Sequence, residues 1–351
     1  MLVGTRILSR HDVATLLSLD ECIGAVEQAF VDHALGRALP PGVLGIHAPG
    51  GGFHIKAAGF AGEAGAFVTK INGNFAANPD RFGLPRIQGA AVLSDVRSGY
   101  PLAVMDSAEL TVLRTAAATG VAARHLARPD ATVATIIGCG RQAAAQLRAV
   151  ALVRPLERAW AIDIDAGRAR NFARDMTAQL RFPVESAGDL EAATSRSGIV
   201  LTCTSAERIV LRSGDVRPGT FIAAVGADSD TKQEIAPELM AEAAVVPDLL
   251  EQAATIGDLH HAIAAGLMTR ESARGELGAV IAGLAPGRCQ GNEIVVFDST
   301  GTALQDVAAA QLVLQRAELA GRGVVLDIAG NGTAPAKAPG PLRFLDRGVR
   351  F

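Results

Sequence analysis

Residues 132–153, TVATIIGCGRQAAAQLRAVALV, constrain the fold more than any other stretch of the chain. A β-branched apolar run, Thr132–Ile137, passes directly into Gly138, Cys139, Gly140, Arg141, Gln142 and Ala143, and then into an alanine-rich amphipathic pattern. Glycines at the first and third positions allow a tight turn and close backbone approach. The helix that follows presents free N–H groups and the positive end of its dipole to a pyrophosphate. The third small position is Ala143, which this fingerprint accepts. A second apolar strand, Arg158–Ile164, carries Asp163 near its end, about twenty residues on, where a carboxylate accepts hydrogen bonds from a ribose 2′-OH. The same carboxylate repels a 2′-phosphate, so NAD is expected rather than NADP. A lone glycine pattern would equally suit an ordinary turn. Strand, turn, helix and acidic residue in succession select the dinucleotide site.

The surrounding pattern agrees. Further strands are expected near 198–202, 221–225, 244–246 and 293–297, with helical stretches between them. Such alternation implies a doubly wound parallel sheet. Thr202, ending one of these strands, joins Gly138, Gly140, Arg141, Gln142 and Asp163 as a candidate cofactor contact. Upstream, Ser18 and Glu21 form a capping box ahead of Ile23, Val26, Ala29, Phe30 and Ala34 at helical spacing. Residues 40–52, rich in Gly and Pro, read as loop and strand edges, and Phe67–Ile71 and Gly89–Leu93 as strands. A helix of about twenty residues is expected from Asp106 or Ser107, stopped by Arg128-Pro129-Asp130. LQDVAAAQLVLQRAELAGR (304–322) reads as a long helix, and the Pro/Gly/Ala-rich tail after Asn331 as poorly ordered.

Composition narrows the function classes. At 351 residues the chain exceeds one usual domain, and 49% hydrophobic against 20% charged residues supplies sizeable cores. No apolar stretch is long enough to span a membrane, and the first residues do not read as a signal peptide. A net charge of −3 without a basic stripe gives no reason to expect nucleic acid. Cys22, Cys139, Cys203 and Cys289 are scattered, with neither disulfide-framework nor zinc spacing. A reduced, cytoplasmic setting is expected, with no metal site. His260 and His261 read as ordinary helix residues.

Four motifs carry a resemblance to a known family: Lys70 in VTKINGN, the block PLAVMDSAELTVLRTAAATGVAARHLARPD (101–130), VGADSDTKQE (225–234) and FDSTGTALQD (297–306). In these the chain resembles the ornithine cyclodeaminase/μ-crystallin family. That family includes ornithine and lysine cyclodeaminases, ketimine reductases such as Δ1-pyrroline-2-carboxylate reductases, and some alanine dehydrogenases. NPDRFGLP (78–85) is similar to the lysine cyclodeaminase branch. The resemblance implies a discontinuous layout: residues 1–128 plus 306–351 as an α+β substrate-binding and dimerisation domain, 129–305 as the inserted Rossmann domain, and a homodimer.

It also implies site residues. Arg114 matches the family's carboxylate-binding arginine, a role that suits a bidentate, charge-assisted contact. A solvated helix face is the plain alternative. Lys70 matches the active-site lysine, against a surface strand lysine, and Asp228 the catalytic aspartate that takes a proton from the substrate amine. A structural turn at Asp228, with Asp230 in its role, is the alternative there. Ser299, with Asp298 and Gly301, falls in a segment that the family places near the nicotinamide, although an ordinary turn fits as well.

Two departures bear on substrate. The cyclodeaminases have an arginine where this chain reads PPGVLGIH (40–47), and a glutamate and methionine where it has His54 and Lys56 in FHIKAAG (53–59). Lys56 is either a replacement anion ligand or a solvated strand residue; His54 is a further candidate substrate contact. An added cation and a lost carboxylate disfavour a diamino acid. The expectation is an NAD-dependent imine reductase or amino-acid dehydrogenase acting on a small amino or imino acid. Cyclodeamination, and a μ-crystallin-like ligand binder, stand as alternatives.

Overall fold

The computed structural model describes residues 4–63 and 65–328, so the tail after Asn331 lies outside the described residues. The chain divides into two compact units, one of Met1–Ala25, Gly36–Thr111 and Ala303–Phe351, the other of Val26–Leu35 and Val112–Thr302. The lines between the units fall inside the long alanine-rich helix and just before the last one.

The first unit begins with β1 (Thr5–Leu8) and α1 (Arg10–Leu16), neither of which was expected. Ser9 and Asp12 form a capping box on α1, the same device that Ser18 and Glu21 supply to α2 (Leu19–Ala34). On α2 the expected stripe, Ile23, Val26, Ala29 and Phe30, is buried. There follow β2 (Ala38–Ala48), β3 (Gly51–Phe60), β4 (Ala66–Phe75), α3 (Asn78–Phe82), β5 (Ile87–Asp95) and β6 (Pro101–Asp106).

Residues 40–52, read from sequence as loop and strand edges, are strand over most of their length. Pro40 and Pro41 fall where the β2–β3 register shifts, on the outer strand of the sheet, and such an edge tolerates their missing N–H groups. From β2 to β6 each strand pairs antiparallel with the next.

Next is α4 (Ser107–Leu126), with Asp106 accepting the Glu109 N–H at its start. The second unit then follows the expected alternation: β7 (Val133–Ile137), α5 (Arg141–Val153), β8 (Arg158–Ile162), α6 (Ala166–Gln179), β9 (Val184–Ser186), α7 (Leu190–Thr194) and β10 (Ile199–Thr202). The short β11 (Glu207–Leu211) precedes β12 (Phe221–Ala224), β13 (Gln233–Ile235), α8 (Pro237–Glu242), β14 (Ala244–Pro247), α9 (Leu250–Ile256), α10 (Asp258–Ala264), α11 (Leu277–Ile281) and β15 (Val295–Asp298).

Its seven-stranded sheet runs β14-β15-β12-β10-β7-β8-β9, parallel throughout, as a Rossmann fold requires. β10, β12 and β15 are buried along their whole length, as strands covered on both faces must be. Strand order reverses between β7 and β10, the switch point where such sheets bind ligands beyond their carboxyl ends.

The chain then re-enters the first unit through α12 (Ala303–Leu319) and β16 (Val324–Leu326). β16 completes the order β16-β1-β6-β5-β4-β3-β2. α12 is buried nearly all round and packs across β2 to β5.

Candidate active site

In the second unit the glycine loop sits at the switch point. Gly138 has φ +89°, and a Cβ there would lie 3.0 Å from the Cys203 carbonyl, so both conformation and space call for glycine. Gly140 is the N-cap of α5; it gives no side-chain cap, the first turn has no acidic residue, and nothing lies within 4 Å of where its Cβ would be. The N–H groups at this end therefore face open ground, which suits a phosphate. Arg141 is exposed and Gln142 half-buried beside them.

Asp163 follows β8 directly. Its Oδ2 accepts the Cys139 N–H at 2.8 Å, and its Oδ1 accepts the Asp165 N–H at 2.9 Å, with Arg168 Nη1 at 3.4 Å. This carboxylate braces the glycine loop, a task that sequence spacing does not reveal. Burial, and next the Asp163 charge, push the Cys139 thiol up to about 12, so it is not a nucleophile.

Beyond the sheet's carboxyl ends lies a set of buried carboxylates. Glu234 accepts the Thr202 hydroxyl at 2.6 Å and the N–H groups of Thr204 and Gly226, both at 2.7 Å. Thr202, expected as a cofactor contact, is thus fully buried and committed to tying the 225–234 loop to β10. Asp258 accepts the N–H groups of Glu234 and Ile235. Asp298 accepts those of Asp258 and Leu259. Burial raises Glu234 and lifts Asp258 well above the carboxylate range. It brings Asp298 to about 7.

Asp248 accepts the Thr300 hydroxyl and the Gly301 N–H, each at 2.7 Å. Gly301 has φ +74°, and a Cβ there would stand 2.6 Å from Arg114 Nη1. The Arg114 guanidinium thus lies against this glycine. At 4% exposure Arg114 is not on a solvated helix face, which removes that alternative. Ser299 is buried; its N–H donates to the Ala224 carbonyl, and its hydroxyl has no hydrogen-bond partner among the described residues. Asp228 stands half-exposed on the loop after β12, paired with Lys232, and Asp230 is exposed two residues on.

In the first unit, Lys70 on β4 is 2% exposed, which rules out a surface strand lysine. Its Nζ donates to Asp306 on α12, 2.9 Å from Oδ1 and 2.8 Å from Oδ2, and to the Thr111 hydroxyl on α4 at 3.2 Å. Asp306 was not singled out from sequence. Its signal was a carboxylate ahead of a run of Ala, Val and Leu in a helix, an oddity like that of Arg114. Lys56 is the register partner of Lys70 on β3 and is 6% exposed, so the solvated-residue alternative fails for it too. His54, half-buried, is the register partner of Asn72 one pair along.

His260 and His261 lie on α10, with His261 Nε2 bonded to the Lys232 carbonyl. Among the described residues no group of His, Cys, Asp or Glu is arranged to hold a metal, and no helix is long and apolar enough to cross a membrane. None of the four cysteines is joined in a disulfide among the described residues.

Solved structures share this architecture. An archaeal alanine dehydrogenase dimer with bound NAD superposes with a TM-score of 0.88 at 35% identity, over 93% of this chain and 99% of its own. The Δ1-pyrroline-2-carboxylate reductase of Thermococcus litoralis, in complex with NADH and L-proline, gives 0.87 at 31%, over 92% and 100%. The iminosuccinate reductase of Paracoccus denitrificans, in complex with NAD+, gives 0.85 at 32%, over 93% and 100%. The profile of the ornithine cyclodeaminase/mu-crystallin family matches residues 3–321. Motifs, fold and relatives agree: the chain belongs to the ornithine cyclodeaminase/mu-crystallin family.

Proposed function

We propose that this protein is an NAD-dependent enzyme that reduces the C=N bond of an α-imino acid, or oxidises the corresponding amino acid. The observation that carries the reading is the burial of two fixed basic side chains, Lys70 held by Asp306 and Thr111, and Arg114 lying on Gly301. Buried cations of this kind suit an α-carboxylate, which needs a charge-assisted hold. The open, uncapped start of α5 fits the cofactor's pyrophosphate, with Gly138, Gly140, Arg141 and Gln142 around it and Asp163 at the ribose. A nicotinamide held there would supply or accept the hydride at the substrate Cα.

The protein's own part is to hold and to move protons. Lys70 and Arg114 clamp the carboxylate, which fixes the face that Cα presents. Asp228 takes a proton from the substrate ammonium in the oxidative direction and returns it to nitrogen in the reductive one. The second unit binds the cofactor and also carries Arg114 and Asp228, while Lys70 belongs to the first.

The sheet face opposite Lys70 exposes Leu44, Ile46, Phe53 and Ile71 in adjoining rows. Such a patch suits a second copy of the chain, and we assign the protein as a homodimer of the cytoplasm. The test of function is NADH consumption against a panel of cyclic imino acids and of 2-oxo acids with amines. Oxidation of NADH with at least one is expected; none with any would overturn the reading.

A further inference from the structure

Glu234 is wholly buried, and taking a carboxylate out of water is costly unless donors surround it. Three do. Oε2 accepts the Thr202 hydroxyl at 2.6 Å and the Gly226 N–H at 2.7 Å, and Oε1 accepts the Thr204 N–H at 2.7 Å. Thr202 ends β10, and Gly226 follows the neighbouring strand β12. One carboxylate therefore ties together the carboxyl ends of two central strands, where doubly wound sheets place their ligands.

The tie is fixed at both ends. A Cβ on Gly226 would collide with the Glu234 carboxyl, so the backbone lies directly against it. The Glu234 backbone is held in turn, because Asp258 Oδ1 accepts its N–H at 2.8 Å and that of Ile235 at 2.9 Å. Between these ends, His261 Nε2 meets the Lys232 carbonyl at 2.8 Å. Asp228 sits on this loop, two residues past the tied Gly226. Its N–H donates to the Gly226 carbonyl at 3.1 Å, and Ala227 between them is buried. Few backbone torsions separate Asp228 from the tie, so a shift of Gly226 carries Asp228 with it.

We propose that Glu234 is the positioning residue of Asp228, holding the backbone from which the Asp228 carboxylate reaches the substrate nitrogen. The inference rests on the reading above, in which Asp228 handles the proton. Glu234 exchanges no proton with substrate; it acts through the loop. Glu234→Gln keeps the size of the side chain but turns one acceptor oxygen into a donor, so one of the two backbone N–H groups, of Thr204 or of Gly226, loses its partner.

The test is a double-variant cycle on turnover, with NADH and either Δ1-pyrroline-2-carboxylate or pyruvate plus ammonium, whichever wild type reduces faster. Glu234→Gln should lower kcat by about tenfold to a hundredfold with little change in KM, the scale of a catalytic group displaced by roughly 1 Å. In an Asp228→Asn background the same change should cost less than about twofold, because the group it positions is already gone. Equal fold-losses in the two backgrounds, the mark of a purely structural tie, would overturn the inference, as would wild-type turnover in Glu234→Gln. Thr202→Val removes one donor and should repeat the pattern with smaller losses; it decides the matter if Glu234→Gln does not fold.

A turnover-free arm follows amide hydrogen exchange. Glu234→Gln should speed exchange across residues 226–231 and leave residues 133–153 unchanged. Unaltered exchange across 226–231 would overturn the inference. Wild-type turnover in Asp228→Asn, or no NADH oxidation with any imine, would instead strike the parent reading, and the exchange arm would still decide whether Glu234 holds the loop.

Discussion

Lys70 and Asp306 show what a buried charge pair costs. Both are buried, and removing one partner of such a pair leaves an uncompensated charge, typically a loss of about 3–5 kcal/mol. Lys70→Met and Asp306→Asn should each destabilise on that scale. The double variant should lose clearly less than the two summed, and denaturant melts of the four proteins measure the coupling. For Arg114→Ala, KM should rise by the equivalent of about 1.5–3 kcal/mol, while Asp228→Asn should lower turnover and leave NADH affinity intact. An Asp228→Asn enzyme turning over like wild type would pass the proton to Asp230.

NADH should bind more tightly than NADPH, and Asp163→Ala should narrow the gap; a wild-type preference for NADPH in a fluorescence titration would contradict this. Arg114 stood out as a charge in an apolar helix, and Lys70 and Lys56 through the family resemblance; the structure shows all three buried. Asp306 gave the same signal but stands next to Gln305 at the start of its helix, where an acidic residue is ordinary, and only the fold shows its partner 236 positions away. Nor does spacing reveal that Thr202 and Asp163 brace loops. That follows from which atoms meet.

Among the elements, the strand–loop–helix at 133–153 was readable because local chemistry dictates it. Gly138→Ala should lower NADH affinity sharply, since the new Cβ meets the Cys203 carbonyl and φ +89° is strained for alanine. The hairpin of β2 and β3 was misread in part because Gly and Pro usually mark loops, whereas here an outer strand absorbs them. β1 and α1 escaped notice because both are short, four and seven residues, and their capping box uses Asp rather than Glu.

The carboxyl-end loops lean on Asp298, raised from 3.8 to about 7 chiefly by burial. With the folded value above the unfolded one, the unfolded carboxyl ionises first as pH rises. Asp298 therefore subtracts stability progressively between about pH 4 and 7, and in full above that window. The stability of wild type relative to Asp298→Asn should fall as pH is raised across the window. Urea melts at about pH 5 and about pH 8 check the sign; a difference that grows with pH would contradict it.

Across the whole molecule, the Rossmann architecture was legible from alternating apolar runs, and the family from four motifs spread along the chain. The interrupted first unit was not derivable from periodicity, because its strands and α12 meet only through distant pairings such as β1 with β16. Sedimentation at micromolar concentration should show a dimer, and Leu44→Lys with Phe53→Lys should shift it toward monomer.

Net redox chemistry on a C–N bond, rather than redox-neutral ring closure of a diamino acid, is the activity proposed for this protein. Its most direct test is to incubate the protein with ornithine and catalytic NAD, assaying proline and ammonia, beside a reaction of NADH with an imino acid. Stoichiometric NADH oxidation is expected in the second and little or no proline in the first. Rapid, equal release of proline and ammonia from ornithine would contradict it.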